Sequence, residues 1–279
     1  MVKDRWELFE GATELGSIKI RDVPDGTRIV VVSDAQVPLE DRKFLRTIFE
    51  DFVPTFAPTK ERGKRTPEYH LFLNGDILDA FTLSKYLARV NVRFTLGDEV
   101  EMVRTYLEQW GRLFTHRHFV FGNHEDRWNR EIYAGNRQFA RFTKPLEEAL
   151  DLANLGYDWV PYLRHYDMEG FIITHGDIFP KHVAAGMMAN YQASGTSGHV
   201  NRPQSFTWAD AADGDAATWH TTGMTCRLDI GDIIADWRRI QPWAQGFLIG
   251  EVQDGVLYVE NVIAHHGHFR AAGKVWKIR

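Results

Sequence analysis

Four times along the chain a short run of β-branched and aromatic residues stops at a polar residue able to ligate a metal. "TRIVVVSD" reaches Asp34, "YHLFLNGD" reaches Asp76, "RHFVFGNHE" runs into Asn123 and His124, and "GFIITHGD" reaches His175. Runs of this length, closed by glycine and acids, read as buried strands. Between them lie helical periodicities. Phe44, Leu45, Ile48, Phe49 and Phe52 share one face over 40–53, and Val100, Val103, Leu107 and Trp110 form a stripe over 97–114. Helical sequence also covers about 125–155, broken near Pro145, and "KHVAAGMMANYQ". Strand–helix alternation predicts parallel pairing, with the carboxyl ends of the strands along one sheet edge, where α/β proteins build their sites. A fifth metal-capable residue, His199, sits in the glycine-rich "SGTSGHVN". The C-terminal third alternates like antiparallel sheet over about 205–263, with a hairpin turn at Asp254-Gly255.

Composition narrows the class. The 279 residues are 44% hydrophobic and 25% charged, enough for a large core in one globular domain spanning 1–279. No run of apolar residues is long enough for a membrane span, and "MVKDRWELFEGATELG" is too polar for a secretory leader. The single cysteine, Cys226, excludes an internal disulfide framework and fits a reducing cytoplasm. A net charge of −5 argues against a surface that grips nucleic acid everywhere, while leaving room for a local basic groove. The chain lacks Gly-x-Gly-x-x-Gly after its first strand and lacks a Walker lysine. "SDAQ" lacks the second aspartate of a haloacid-dehalogenase-type phosphatase.

Taken singly, each polar residue has an ordinary reading. Asp34 serves as a cap for the helix from 40, Asp76 and Asp79 as turn residues, His175 as a buried histidine bonded to backbone. Together and in order, "SDAQ", "GDILD", "GNHE", "THGD" and "GHVN" resemble the calcineurin-like metallophosphoesterase family over residues 30 to about 201. The tail "QPWAQGFLIGEVQDGVLYVENV" resembles phage-encoded members more loosely. The resemblance implies a four-layer α/β/β/α sandwich with two mixed β-sheets, and two divalent ions bridged by Asp76. One ion would take Asp76, Asn123, His175 and His199. The other would take Asp34, Asp76, the residue two after Asp34 and the residue two after His199. Most members have histidine at these last two places; here they are Gln36 and Asn201. Amide oxygen is a harder, weaker ligand than imidazole nitrogen, so the expected ion moves from Zn²⁺ toward Mn²⁺ or Mg²⁺, with Fe²⁺ also compatible.

Two such ions clamp a phosphate and activate water for in-line attack, and the leaving oxygen then needs a proton. His124, beside a ligand position, is the candidate acid, and the resemblance assigns Asp79 as its orienting partner. Arg127 and Arg202 are candidates for gripping phosphate oxygens. The expected activity is metal-dependent hydrolysis of phosphate esters, foremost a phosphodiesterase or nuclease acting on DNA, RNA or nucleotides in the cytoplasm, the host's if the chain is phage-encoded. Phosphomonoester or phosphoprotein cleavage is the rival, and a site that binds metal or phosphate without cleaving is the third reading. His165, His182 and His220 could approach the centre. "AHHGHF" (264–269) is expected at the surface beyond the last strand, and Trp208, Trp219, Trp237 and Trp243 in the core. Loops at 54–68 and 203–225 are expected to shape the substrate mouth, with "KERGKR" otherwise a solvated turn.

Overall fold

The valine run becomes a strand because both of its faces are covered. In the computed structural model, which describes residues 16–60, 62–84, 94–131, 143–209, 216–229 and 242–279, Ile29, Val30, Val31 and Val32 are fully buried. Val30 and Val32 point into a cluster with Phe44, Ile48, Phe49 and Leu107, while Ile29 and Val31 meet Tyr166 and Ile173 on the other side. Alternation along one strand thus reports two apolar layers at once.

Fourteen strands lie among the described residues. In chain order they are β1 (Ile18–Ile20), β2 (Arg28–Val32), β3 (Tyr69–Asn74), β4 (His116–Val120), β5 (Asp158–Val160), β6 (His165–Met168), β7 (Phe171–Thr174), β8 (Gly195–Ser197), β9 (Gln204–Ala209), β10 (Ala216–Thr221), β11 (Gly246–Gln253), β12 (Val256–His265), β13 (His268–Ala271) and β14 (Lys274–Lys277). They form a six-stranded sheet in the order β1-β6-β7-β8-β10-β9 and an eight-stranded sheet in the order β14-β13-β12-β11-β2-β3-β4-β5. Both are mixed. β2 through β5 pair in parallel and β11 joins β2 antiparallel, while β7–β8 and β8–β10 are parallel beside antiparallel β6–β7 and β10–β9.

Helices cover the outer faces. α1 (Arg42–Arg46) continues through a π-helical stretch (Thr47–Phe52) into α2 (Val53–Phe56), and with α3 (Leu96–Gly111) it packs on the large sheet. α4 (Asn123–Arg130) and α5 (Leu146–Ala149) follow. α6 (Val183–Tyr191) places Val183, Ala184, Met187 and Met188 against Ile172 and Trp219 of the small sheet. The result is the four-layer α/β/β/α sandwich that the sequence predicts.

Several local expectations are corrected. Asp34 caps no helix; Asp41 does, its carboxylate accepting from Phe44 N. Within 203–225, expected both as a mouth-shaping loop and as the start of the antiparallel strands, β9 and β10 pair antiparallel, with Phe206 opposite Trp219 and Thr207 opposite Thr218. Trp219 is fully buried, but Trp208, on the edge strand β9, is 58% exposed. Trp243 is half-buried, and Trp237 lies outside the described residues. "AHHGHF" spans the exposed turn between β12 and β13, so the sheet runs past 263. The 54–68 segment enters β3 at its N-terminal end. At about 3.3 Å per residue that is roughly 20 Å from the carboxyl end where Asp76 lies, too far to shape a mouth there. No helix among the described residues is long and apolar enough to cross a membrane.

One buried polar ladder crosses the sandwich at that N-terminal end. His70 of β3 and His118 of β4 face inward, stacked with ring centroids 5.2 Å apart, and His118 reaches Asp158 of β5. Burial, then the neighbouring imidazoles of His118 and His116, hold His70 well below the ordinary histidine range.

Candidate metal centre

Both sheets supply the polar cluster, which corrects the expectation of a single sheet edge. Asp34 and Asp76 each lie two residues beyond parallel strands β2 and β3, and Asn123 opens α4 after β4. His175 immediately follows β7 and His199 lies two residues beyond β8, both in the small sheet. At five of the candidate positions the backbone turns left-handed: φ is 54° at Asp34, 49° at Gln36, 52° at Asp76, 70° at His199 and 57° at Asn201. Non-glycine residues adopt this region at a cost of order 1 kcal/mol each, and only where the surroundings enforce it. Glycines nearby leave room for two of these turns. A Cβ on Gly122 would overlap the carboxylate and backbone nitrogen of Asp76, and one on Gly198 would overlap Ser33 Oγ and Asp34 Oδ2.

The oxygens and nitrogens converge. Ligating atoms of Asp76, His175 and His199 lie within 4.8 Å of one another. His175 Nδ1 donates to the Asn74 carbonyl at 2.8 Å, which turns Nε2 toward Asp76 Oδ2 and Asn123 Oδ1, each at 3.3 Å. A ring nitrogen facing two oxygens needs a proton or a cation between them. Burial lowers the affinity of His175 for a proton, but Asp76 and then Asp34 outweigh it and lift its pKa to about 10. Asp34 is fully buried; burial raises its pKa, to about 7, with the Asp76 charge adding to the effect against His175. Burial also acts to raise Asp76, yet His124, His175 and His199 together hold it below the ordinary carboxylate range. His199 is kept neutral by burial and by His175, down to about 3.

Unpartnered atoms point the same way. Asp34 Oδ1, Asn201 Oδ1 and both ring nitrogens of His199 are buried without a hydrogen-bond partner. Each such group costs about 1–3 kcal/mol unless something fills its need. Carboxylate, amide and imidazole atoms left without partners in the turns beside the Asp76–His175–His199 group are donors that suit divalent cations. The backbone nitrogen of Gln36 donates to Asp76 O at 2.9 Å, and the residue is buried.

Beside this cluster, His124 Nδ1 lies 3.2 Å from Asp79 Oδ1 and its Nε2 3.5 Å from Asp76 Oδ2. The Asp79 contact is close but poorly aligned, a common state before substrate tightens such a pair. Burial pulls His124 down; Asp76 and Asp79 more than compensate and raise it above the ordinary range. The two arginines each bond a backbone carbonyl, Arg127 within the site and Arg202 outside it. Arg127 Nη1 donates to the Asp79 carbonyl at 3.0 Å, and Arg202 Nη2 to the Pro180 carbonyl at 3.1 Å. His165 and His220 bond Ser17 and Ser205, at 2.9 and 2.8 Å, and His182 precedes α6; none belongs to the converging group.

Three residues that sequence patterns did not single out matter here. Glu125, fully buried, accepts from the backbone N–H groups of Gly122, Asp76, Ile77 and Leu78 at 2.8–2.9 Å, joining the "GDILD" and "GNHE" turns. Its place three residues past a glycine at a helix start was the available signal. Glu99 of α3, also fully buried, accepts from Ala80 N; burial and the Asp79 charge raise its pKa to about 7. Phe179 is 70% exposed with its ring centroid 4.2 Å from that of His199. Nothing in its local sequence marks it, because its role depends on which ring it covers.

A family model described as calcineurin-like phosphoesterase matches residues 27–221, more than half of the chain. A search of curated proteins returned no match. Among solved structures, wild-type Vps29 complexed with Zn²⁺ from Entamoeba histolytica aligns at 9% identity with a TM-score of 0.42, over 91% of this chain and 100% of that one.

Proposed function

The chain belongs to the calcineurin-like phosphoesterase family, and from that premise we propose that it is a metal-dependent phosphodiesterase acting on nucleotides or nucleic acid. Asp76, Asn123, His175 and His199 would hold one ion, and Asp34, Asp76, Gln36 and Asn201 the other. When bound, such ions supply Lewis-acid activation of a phosphate and of the attacking water. The amides at Gln36 and Asn201 favour Mn²⁺ over Zn²⁺ at the second position. His124 holds a proton at Nε2, and Asp79 orients its ring from Nδ1 so that the proton can pass to a leaving sugar oxygen. Glu125 fixes the two turns against each other, which fixes the distance between Asp76 and His124. The looser likeness of the tail to phage-encoded members fits a nucleic-acid substrate.

The observation that carries the diester reading is the exposed ring of Phe179 lying over His199 at the rim of the cluster. A base can stack on such a ring, worth about 1–3 kcal/mol per base. Arg127 and Arg202 each give one N–H to a backbone carbonyl and keep their charge, so the monoesterase reading stays the rival that the assay must separate. Turnover of a dinucleotide and of p-nitrophenyl phosphate is the direct comparison. Phe179→Ala is expected to raise KM for the dinucleotide about tenfold. Faster turnover of the monoester, or a Phe179→Ala enzyme with unaltered dinucleotide KM, would count against the reading.

His124→Asn separates proton donation from binding. An alkoxide needs the proton and a nitrophenolate does not. The expected loss in kcat is therefore about 10²–10⁴-fold on a dinucleotide and much smaller on bis(p-nitrophenyl) phosphate. Equal losses on both substrates would assign His124 to binding.

A further inference from the structure

We propose that Glu68, His70 and His116 form a separate site for a zinc-class divalent ion, at the end of the sandwich opposite the candidate catalytic centre. The three ligating groups lie within 4.8 Å of one another. Glu68 Oε2 is 3.0 Å from His70 Nε2 and 3.7 Å from His116 Nε2, separations that bracket the ligand–ligand spacing of a tetrahedral ion with bonds of about 2.0–2.2 Å. His70 and His116 are register partners on parallel strands β3 and β4, with rings stacked at 4.5 Å, and Glu68 immediately precedes β3. Four residues of β3, from Leu71 to Asn74, separate His70 from the turn that carries Asp76.

Proton counting along the ladder gives the argument its force. Three close contacts run in line: Glu68 Oε2 to His70 Nε2 at 3.0 Å, His70 Nδ1 to His118 Nε2 at 2.9 Å, and His118 Nδ1 to Asp158 Oδ1 at 2.6 Å. Each needs one proton to be a hydrogen bond, and with both imidazoles neutral the pair carries only two. Asp158, which also accepts from the Tyr166 hydroxyl at 2.7 Å, takes the proton on His118 Nδ1. His118 Nε2 then accepts the proton on His70 Nδ1. That leaves a lone pair on His70 Nε2 facing a carboxylate oxygen, which is repulsive without a cation between them. A divalent ion there removes the repulsion and uses the ladder as it stands. His70 would ligate through Nε2 with its other nitrogen donating to His118, and His118 in turn to a carboxylate, the outer arrangement that orients metal-binding histidines. Glu68 and the exposed His116 complete three protein ligands and leave a fourth position to water.

Metal-free protein saturated with Zn²⁺ and dialysed to constant content is the test. His116→Ala and Glu68→Gln are each expected to retain one zinc equivalent fewer than wild type, with unchanged hydrolysis of bis(p-nitrophenyl) phosphate in Mn²⁺. An anomalous peak is expected between the three side chains in zinc-loaded crystals. Both substitutions fall on partly exposed side chains, so folding is not at stake. An unchanged zinc count in both variants with no anomalous peak would overturn the proposal and assign the third link to a proton on the His70–His118 pair. Because the readout is stoichiometry at the far end of the fold, its failure leaves the catalytic reading untouched, and inactivity of the enzyme would leave the zinc count intact.

Discussion

Asp76→Asn is expected to abolish metal-dependent hydrolysis, with kcat down about 10³-fold or more, while the protein stays folded. Asp76 is the one carboxylate that faces His175, His124 and the open side of the cluster together, so it is the natural bridge between two ions. Loss of several kcal/mol of charge stabilisation at the reacting phosphate corresponds to three or more decades in rate. Folding should survive because an amide keeps the geometry: Asp76 Oδ1 accepts the His124 backbone N–H at 2.9 Å, and the amide oxygen can do the same. Metal-stripped wild type and variant, each assayed on bis(p-nitrophenyl) phosphate with Mn²⁺, Mg²⁺, Zn²⁺ or no metal, give the measurement, with near-UV circular dichroism as the folding check. Wild type should turn over only with metal. A variant within a few-fold of wild type would remove the cluster from the chemistry. A wild type that no metal activates would favour a site that binds but does not cut.

Glu125→Gln should be the most damaging conservative change for stability. Both carboxylate oxygens are occupied, Oε2 by Gly122 and Asp76 N–H groups and Oε1 by Ile77 and Leu78 N–H groups. A glutamine must aim its own N–H₂ at one of those pairs, converting two bonds into donor–donor repulsion in a buried place. Hydrogen bonds to a charged acceptor contribute about 1.5–3 kcal/mol each, so a net loss of about 2–4 kcal/mol follows. For a chain of this size that lowers Tm by roughly 5–15 °C. Activity should fall too, because the same bonds set Asp76 against His124. Thermal unfolding by calorimetry, beside residual turnover at a temperature where both proteins are folded, tests both effects. A Tm within a degree of wild type would mean that the two turns hold their positions without Glu125.

These two residues divide what local pattern reveals from what it hides. Asp76 was legible because a buried apolar strand delivers whatever follows it to a sheet edge, and the order of such deliveries is itself a pattern. Glu125 was not, because its importance lies in four backbone groups, three of which are 47 to 49 residues away in sequence. Phe179 and the Glu68–His70–His116 cluster were hidden for the same reason. A ring over His199, or a histidine opposite a histidine across two parallel strands, exists only after register is set.

From sequence alone came the strand–helix alternation and the succession of polar residues at strand ends, which follow from side-chain periodicity, a property of neighbouring residues. The two mixed sheets with helices outside came from the motif resemblance. Tertiary structure alone decided that the cluster is built from the ends of both sheets, that β9 and β10 extend the small sheet, and that the 54–68 segment lies at the far end. It also decided that Asp34, Gln36, Asp76, His199 and Asn201 sit in left-handed backbone. Asp, Asn and His tolerate that conformation better than most side chains, but tertiary contacts select it at five residues of one site. Gly122 and Gly198 leave the room that the Asp76 and Asp34 carboxylates occupy, and the packed core beneath supplies the stability that the strain consumes.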